Sequence, residues 1–288
     1  MSTATEALPV RRAGQGTLTR LWAWVRHHAL TAYAVLALAY LFLPIAIVVL
    51  YSFNDPLGRF NYTWEGFTLD NWRNWNHVPG LTDAMVTSLK IAALSSAFAT
   101  VLGTLIALAL VRYNFRGRGA TNLLIFVPMT TPEIVMGASL LTLFLNFSIA
   151  TGFLTIVIAH IMFNISYVVV TVKARLVGFD RHLEEAAMDL FANQWSTFYR
   201  VTLPLIAPGI LAAGLLAFAL SVDDFVITNF NSGATITFPL FVWGAARIGV
   251  PPQVNVMGTV IFVVAIGAML ANVVFQQRRA KALTRGAA

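Results

Sequence analysis

"EEAAMDLFANQWSTFYRVTLPLIAPGI", from Glu184 to Ile210, is a polar, helix-forming stretch between two long apolar runs, and its reading decides the fold. Asp180 can cap a helix beginning at Arg181. Glu184 and Glu185 then fall in the first turns, where the helix dipole favours negative charge. Leu183, Ala187 and Leu190 make an apolar stripe at helical spacing. A second short helix is predicted from Ser196, with Phe198 and Val201 apolar, ending before Pro204. Pro204 and Pro208 mark the entry into the next apolar run. Helices this short are marginal without tertiary packing. The stretch therefore lies against its own protein or against another, and the residues alone leave both open.

The surroundings are apolar. Of 288 residues, 58% are hydrophobic and only 11% are charged, with mean hydropathy +0.74. A soluble domain carries about 25% charged residues. One aqueous core cannot hide this much apolar surface, so the class is integral membrane protein. There are no cysteines, which excludes disulfides and thiolate metal sites. No Ser/His/Asp or metal-ligand spacing stands out. There is no Gly-Lys pair and so no G-x-x-x-x-G-K-[ST] phosphate loop.

About 20 apolar residues cross a bilayer as a helix. Six stretches reach that length: about 32–53, 86–111, 121–146, 152–172, 205–225 and 256–275. The expectation is an all-α membrane protein with six transmembrane helices. Pro44, Pro128 and Pro132 lie inside spans and should kink them unless neighbours compensate. The first span is too long for a signal-peptide core of about 7–15 residues and is read as retained. Ahead of it, "LTRLWAWVRHH" is predicted to lie flat at the interface before the chain turns in. The expected organisation is a cytoplasmic segment 1–31 with that interfacial helix, a six-span bundle 32–275 and a basic tail 276–288.

Lysine and arginine set the orientation. Alternate loops and the two termini hold fifteen of them, from Arg11 to Arg285. The opposite side has only Arg59, Arg73 and Arg247. The bias places both termini and the 184–210 stretch in the cytoplasm of a multi-pass inner-membrane protein. It also accounts for the net charge of +7 without a nucleic-acid partner. The first outer loop carries Trp64, Trp72 and Trp75 among acidic residues, read as an interfacial cap or a docking surface for an external partner.

The quoted stretch resembles the EAA loop of membrane subunits of ATP-binding-cassette importers. The resemblance is carried by Glu185-Ala186-Ala187, Ala192, Phe198, Val201, Leu203-Pro204 and Pro208-Gly209-Ile210. "VPMTTPEIVMGASLL", "LSVDDFVIT" and "PPQVNVMGT" are similar to segments of spermidine/putrescine-type permeases. The resemblance implies the type I importer permease fold and a coupling loop at about 173–204. That loop would meet the ATPase through Glu184, Glu185, Ala186, Ala187, Leu190, Phe191, Ala192, Phe198 and Pro204. It also implies a second permease, identical or different, two ATPase subunits and an extracytoplasmic binding protein. No cofactor is expected on this chain, since ATP and magnesium would belong to the ATPase. The family usually has Gly where this chain has Phe191. Phenylalanine takes positive φ poorly, so the first helix is expected to run on and the turn to move to Asn193, which tolerates that conformation better.

Ionisable groups at membrane depth mark candidate pathways. Glu133 lies about twelve residues into the third predicted span, about 18 Å deep at 1.5 Å per residue. Asp223 and Asp224 end the fifth. They could be structural or interfacial carboxylates. They could equally line a cation path, where two adjacent like charges would be relieved by a di- or polyamine. Trp243, Phe225 and Phe241 could add cation–π faces. Lys90 can snorkel to the interface. His160 and Asn164, on one helix face, are read first as links between helices. An anion path would need basic groups or helix N-termini. A transporter for another solute and an ATP-independent transporter or scaffold remain as alternatives.

Overall fold

Helix formation follows the apolar runs, but proline and asparagine decide where the helices break. The computed structural model describes residues 17–285. Residues 1–16, with Arg11 and Arg12, and 286–288 lie outside the described residues, as do the side chains of 17–26 and of most positions after Gly267. The helices are α1 (Thr17–Tyr51), α2 (Asp70–Arg73), α3 (Leu81–Arg112), α4 (Arg118–Thr130), α5 (Glu133–Asn146) and α6 (Phe153–Val177). They continue with α7 (His182–Asp189), α8 (Gln194–Thr197), a π-turn (Phe198–Thr202), α9 (Leu203–Asp223), α10 (Val226–Asn231), α11 (Phe238–Ile248) and α12 (Pro252–Arg285).

Four of these are long and apolar enough to cross a membrane, or five if α4 and α5 count as one broken span. Within the third predicted span, 121–146, the kink expected at Pro132 is a full break, where α4 and α5 meet at 106°. The cause is local. Thr131 precedes Pro132 and is held extended, at φ −74° and ψ 131°, because a proline ring disfavours the α region in the residue before it. The separate interfacial helix is corrected. Thr17–Tyr51 is one continuous helix of 35 residues, passing through Pro44.

The chain resolves into two packed units. Of the described residues, the first comprises 17–57, 62–73 and 255–285. In it α1 meets α12 where Phe42 and Phe262 stand edge to face at 6.4 Å. Asn54 organises its loop: the side-chain amide donates to the Thr63 carbonyl, and its oxygen accepts from the Glu65 amide. Phe53 stacks on both Phe67 and Trp72, while Trp72 Nε1 donates to Ser52 Oγ. Trp72 is therefore anchored within the loop.

The second unit comprises 58–61 and 74–254. Its core is where α3, α6 and α9 meet, built on Ala99, Ala107, Val168, Val172, Ile206 and Ala213. Small residues let the backbones approach. At Gly103 a Cβ would stand 2.6 Å from Val168 Cγ1, so only glycine permits the α3–α6 crossing at this spacing. A second cluster joins α5, α6 and α10 through Met136, Leu140, Phe144, Phe163 and Ile227.

Candidate functional site

The α7–α8 loop is built by a precise exchange of backbone and side-chain hydrogen bonds. Asp180 Oδ1 accepts from the His182 amide at 3.0 Å and from His182 Nδ1 at 2.7 Å. The amide bond and the imidazole beside it hold the Asp180 carboxyl below its ordinary range. The same side-chain hydrogen bond, with the aspartate charge, raises the His182 pKa. At the other end of α7 the Ala192 N–H donates to the Ala187 carbonyl and the Phe191 N–H to the Met188 carbonyl. That pair of bonds is a Schellman turn, and its left-handed position is Phe191, at φ 63°.

This corrects the expected loop geometry. The helix does not run on, and the turn does not move to Asn193. Asn193 is extended, at φ −75° and ψ 166°, because its side chain is occupied as the cap of α8, accepting from the Ser196 amide at 2.8 Å. The left-handed residue is thereby left to Phe191. Ala186, Ala187 and Ala192 supply the small side chains of the turn.

Pro204 also differs from expectation. The second helix does not stop before it: helical structure runs from Gln194 to Asp223. The π-turn at Phe198–Thr202 widens the helix ahead of the proline, whose ring would crowd a regular α turn and which has no N–H to donate. Phe198 turns inward against the α3–α6–α9 core.

Glu184 is not directed outward. Its carboxylate accepts from Arg112, at the end of α3, and from Thr202 in the π-turn. The glutamate side chain is 15% exposed and the arginine 27%. Arg112 also donates to Thr202 Oγ1, and Arg181 Nη2 donates to the Val111 carbonyl. Arg112, Glu184 and Thr202 border a cavity of about 510 Å³ lined also by Met188, Trp195 and Phe198. Glu185 remains exposed and available to a partner, as do Leu190 and Phe191. Of this clamp, sequence reasoning found Glu184 and missed Arg112 and Thr202, which lie 72 and 18 residues away from it.

At the far end of α9, Asp223 and Asp224 have opposite surroundings. The Asp224 side chain is 6% exposed. Its Oδ2 accepts from the Thr228 amide at 2.7 Å and the Thr228 hydroxyl at 2.8 Å, and lies 3.2 Å from His160 Nε2. Its Oδ1 accepts from the Ile227 amide. On the other side of the ring, His160 Nδ1 is 2.6 Å from Ser221 Oγ, which is 3.0 Å from Ser95 Oγ. The consistent assignment has Ser95 donating to Ser221, Ser221 to Nδ1, and Nε2–H to Asp224. One buried polar node thus ties α3, α6, α9 and α10 together. Ser, His and Asp do converge here, a constellation invisible in the spacing, but Ser221 is 4% exposed and no substrate carbonyl could reach it. His160 is the helix link expected of it. Asn164, grouped with it from sequence, is fully buried with neither amide atom paired among the described residues.

Asp223 is exposed. Next along the chain, Phe225 meets Trp243 at 5.1 Å, and the Arg247 guanidinium lies 5.0 Å over the Trp243 ring. The cation–π face proposed from sequence is therefore already covered by a resident cation, which the sequence did not reveal. Glu133 is exposed in the first turn of α5 at the 106° break, rather than mid-way along a straight span.

Residues 99–281 match the family model described as binding-protein-dependent transport system inner membrane component. The chain is 38% identical over 247 residues to the spermidine/putrescine transport system permease protein PotC of Escherichia coli (strain K12), covering 85% of this chain and 93% of that one. It is 38% identical over 235 residues to the putrescine transport system permease protein PotI of the same organism, covering 79% and 83%. Among solved structures, a bacterial ABC transporter involved in the import of the acidic polysaccharide alginate matches with TM-score 0.65 at 15% identity, over 90% of this chain and 99% of that one. The MetNI methionine ABC transporter in an inward-facing form matches with TM-score 0.55 at 15% identity, over 67% and 92%. These last two are likenesses of fold.

Proposed function

The chain belongs to the family of binding-protein-dependent transport system inner membrane components, and from that premise we propose that it carries polyamines such as putrescine and spermidine inward as the permease of an ATP-driven importer. It is a non-catalytic subunit, and ATP hydrolysis falls to a separate ATPase that holds the nucleotide and magnesium. The observation that carries the substrate assignment is the identity, over most of the chain, to permeases named for spermidine and putrescine.

The chemistry at the end of α9 supports the same reading. Asp224 is committed to the His160 node, which leaves Asp223 as the open carboxylate for an ammonium group. Phe225 follows two residues on and packs against Trp243, whose ring an incoming ammonium would have to take over from Arg247, and Glu133 offers a second carboxylate at the α4–α5 break.

In this reading both termini are cytoplasmic and the α7–α8 loop docks on the ATPase. A second permease completes the pathway, two ATPase subunits close below it, and an external binding protein delivers substrate above. Closure of the ATPases moves α7. The Arg112–Glu184 clamp passes that movement to α3, and through the α3–α6–α9 core to the polar node. Uptake of labelled putrescine and spermidine by the reconstituted complex, with and without ATP, tests the proposal. Saturable amine uptake that needs ATP is expected. Uptake of neither amine would overturn the substrate assignment, and uptake without ATP would overturn the coupling.

A further inference from the structure

Phe191 combines two features that its own chain does not explain. It occupies the left-handed position of the Schellman turn, at φ 63°, where glycine is free of strain and a bulky side chain is not. It is also 99% exposed. Strain held at one residue, with no contact among the described residues to offset it, points to function. Its neighbours extend the pattern: Leu190 is 82% exposed and Trp195 73%. A cluster of large apolar side chains at the tip of a loop marks a contact surface.

We propose that Phe191 is an aromatic anchor that inserts into an apolar pocket on the ATPase subunit, with basic groups at the rim of that pocket facing Glu185 and Asp189. The proposal rests on the reading of α7–α8 as the docking element and specifies the chemistry of its partner. The acidic residues favour a protein pocket over a lipid surface. Glu185 and Asp189 flank the tip, and an anionic membrane face would repel both. A buried aromatic side chain at the centre of a contact is the usual site of concentrated binding energy. An ATPase shaped for a glycine-tipped loop would have no cavity for the ring, so Phe191 also selects the partner.

The chain has no cysteine, so single introduced cysteines report on single positions. The experiment uses the full chain in nanodiscs and the P-loop ATPase that co-purifies stoichiometrically with it from native membranes, then purified separately. Without the ATPase, Phe191→Cys is expected to react with a water-soluble maleimide; with it, both Phe191→Cys and Gln194→Cys should be protected. Phe191→Gly should weaken ATPase binding about tenfold or more, Phe191→Leu should weaken it less, and the thermal midpoint of Phe191→Gly should be unchanged or higher. If Gln194→Cys is protected while Phe191→Cys stays reactive and Phe191→Gly binds like wild type, the anchor is refuted and the docking reading stands. Protection of neither position refutes the docking reading itself. Phe191→Cys that is already unreactive without ATPase places the tip in lipid and overturns the proposal.

Discussion

Arg112, the last residue of α3, donates to the carboxylate of Glu184 in the first turn of α7, and both engage Thr202. One ion pair therefore joins a membrane helix, the exposed loop and the π-turn that leads into α9. A helix of eight residues with no buried side chain has little to hold it in place otherwise.

Breaking that pair should separate docking from transport. Arg112→Ala leaves the Glu184 carboxylate part-buried without its cation, a loss of about 1.5–3 kcal/mol for a charge-assisted bond. The bundle core is untouched, so the protein should still fold and still bind ATPase through Glu185 and the loop tip. Amide exchange should rise across 182–189 and ATP-dependent uptake should fall sharply. The double variant Arg112→Glu with Glu184→Arg should recover part of the uptake. Wild-type uptake in Arg112→Ala would show that α7 moves α3 by another route.

Asp223 and Asp224 should respond differently to the same change. On the proposed cation path, Asp223→Asn removes one exposed carboxylate that would meet the amine. It should raise the KM for amine uptake about tenfold, corresponding to about 1.4 kcal/mol, with yield and thermal midpoint unchanged. Asp224→Asn weakens the bonds that hold the α9–α10 junction to His160 and Thr228. It should cost about 2–4 kcal/mol of stability and appear as a lower midpoint and yield. Equal effects of both on KM would place both carboxylates in the pathway.

The difference between these neighbours marks what a sequence can and cannot disclose. Helix positions follow from apolar runs, and the loop's place in the chain follows from charge and proline, because those signals are local. The kink at Pro132 was legible for the same reason, since the restriction it imposes on Thr131 is local, but its 106° angle was not. Phe191 was misread for a subtler reason. Asn193 tolerates positive φ better, yet its side chain has a competing use as the cap of α8. The partners of Glu184 and His160 come from residues far away in the chain, and no spacing rule brings Arg112 or Ser95 to them. For Asp224, the four-residue spacing to Thr228 ahead of a helix was a usable signal of a capping role.

Arg247 should act as a competitor for the aromatic face. Its guanidinium covers Trp243 at 5.0 Å, and an exposed cation–π contact is worth about 0.5–1 kcal/mol. Arg247→Gln frees the ring and removes a like charge from the approach of an amine. The KM for putrescine should fall about two- to fivefold, with less salt dependence. Trp243→Leu should abolish that gain. A higher KM in Arg247→Gln would instead mean that the arginine holds the Trp243 ring in the position that binds the amine.

The cap of α7 should carry its own pH dependence. The His182 pKa is raised by its hydrogen bond to Asp180, and the Asp180 pKa is lowered by the amide and side chain of His182. A raised histidine pKa gives stability that is complete below the unfolded-state value and lost as pH climbs through the folded one. A lowered aspartate pKa gives stability that is complete above the unfolded-state value and lost as pH falls through the folded one. The cap is therefore tightest between the ordinary aspartate and histidine ranges, about pH 4 to 6.5, and loosens on either side. Both groups are exposed, so the effect belongs to the local order of α7 and leaves the fold intact. NMR titration of the histidine ring in nanodiscs should give His182 a pKa above the ordinary value, returning to it in Asp180→Asn. Amide exchange at Leu183 and Glu184 should quicken as the histidine loses its proton. A His182 titration that Asp180→Asn leaves unmoved would mean that the ion pair does not form in the membrane-bound protein.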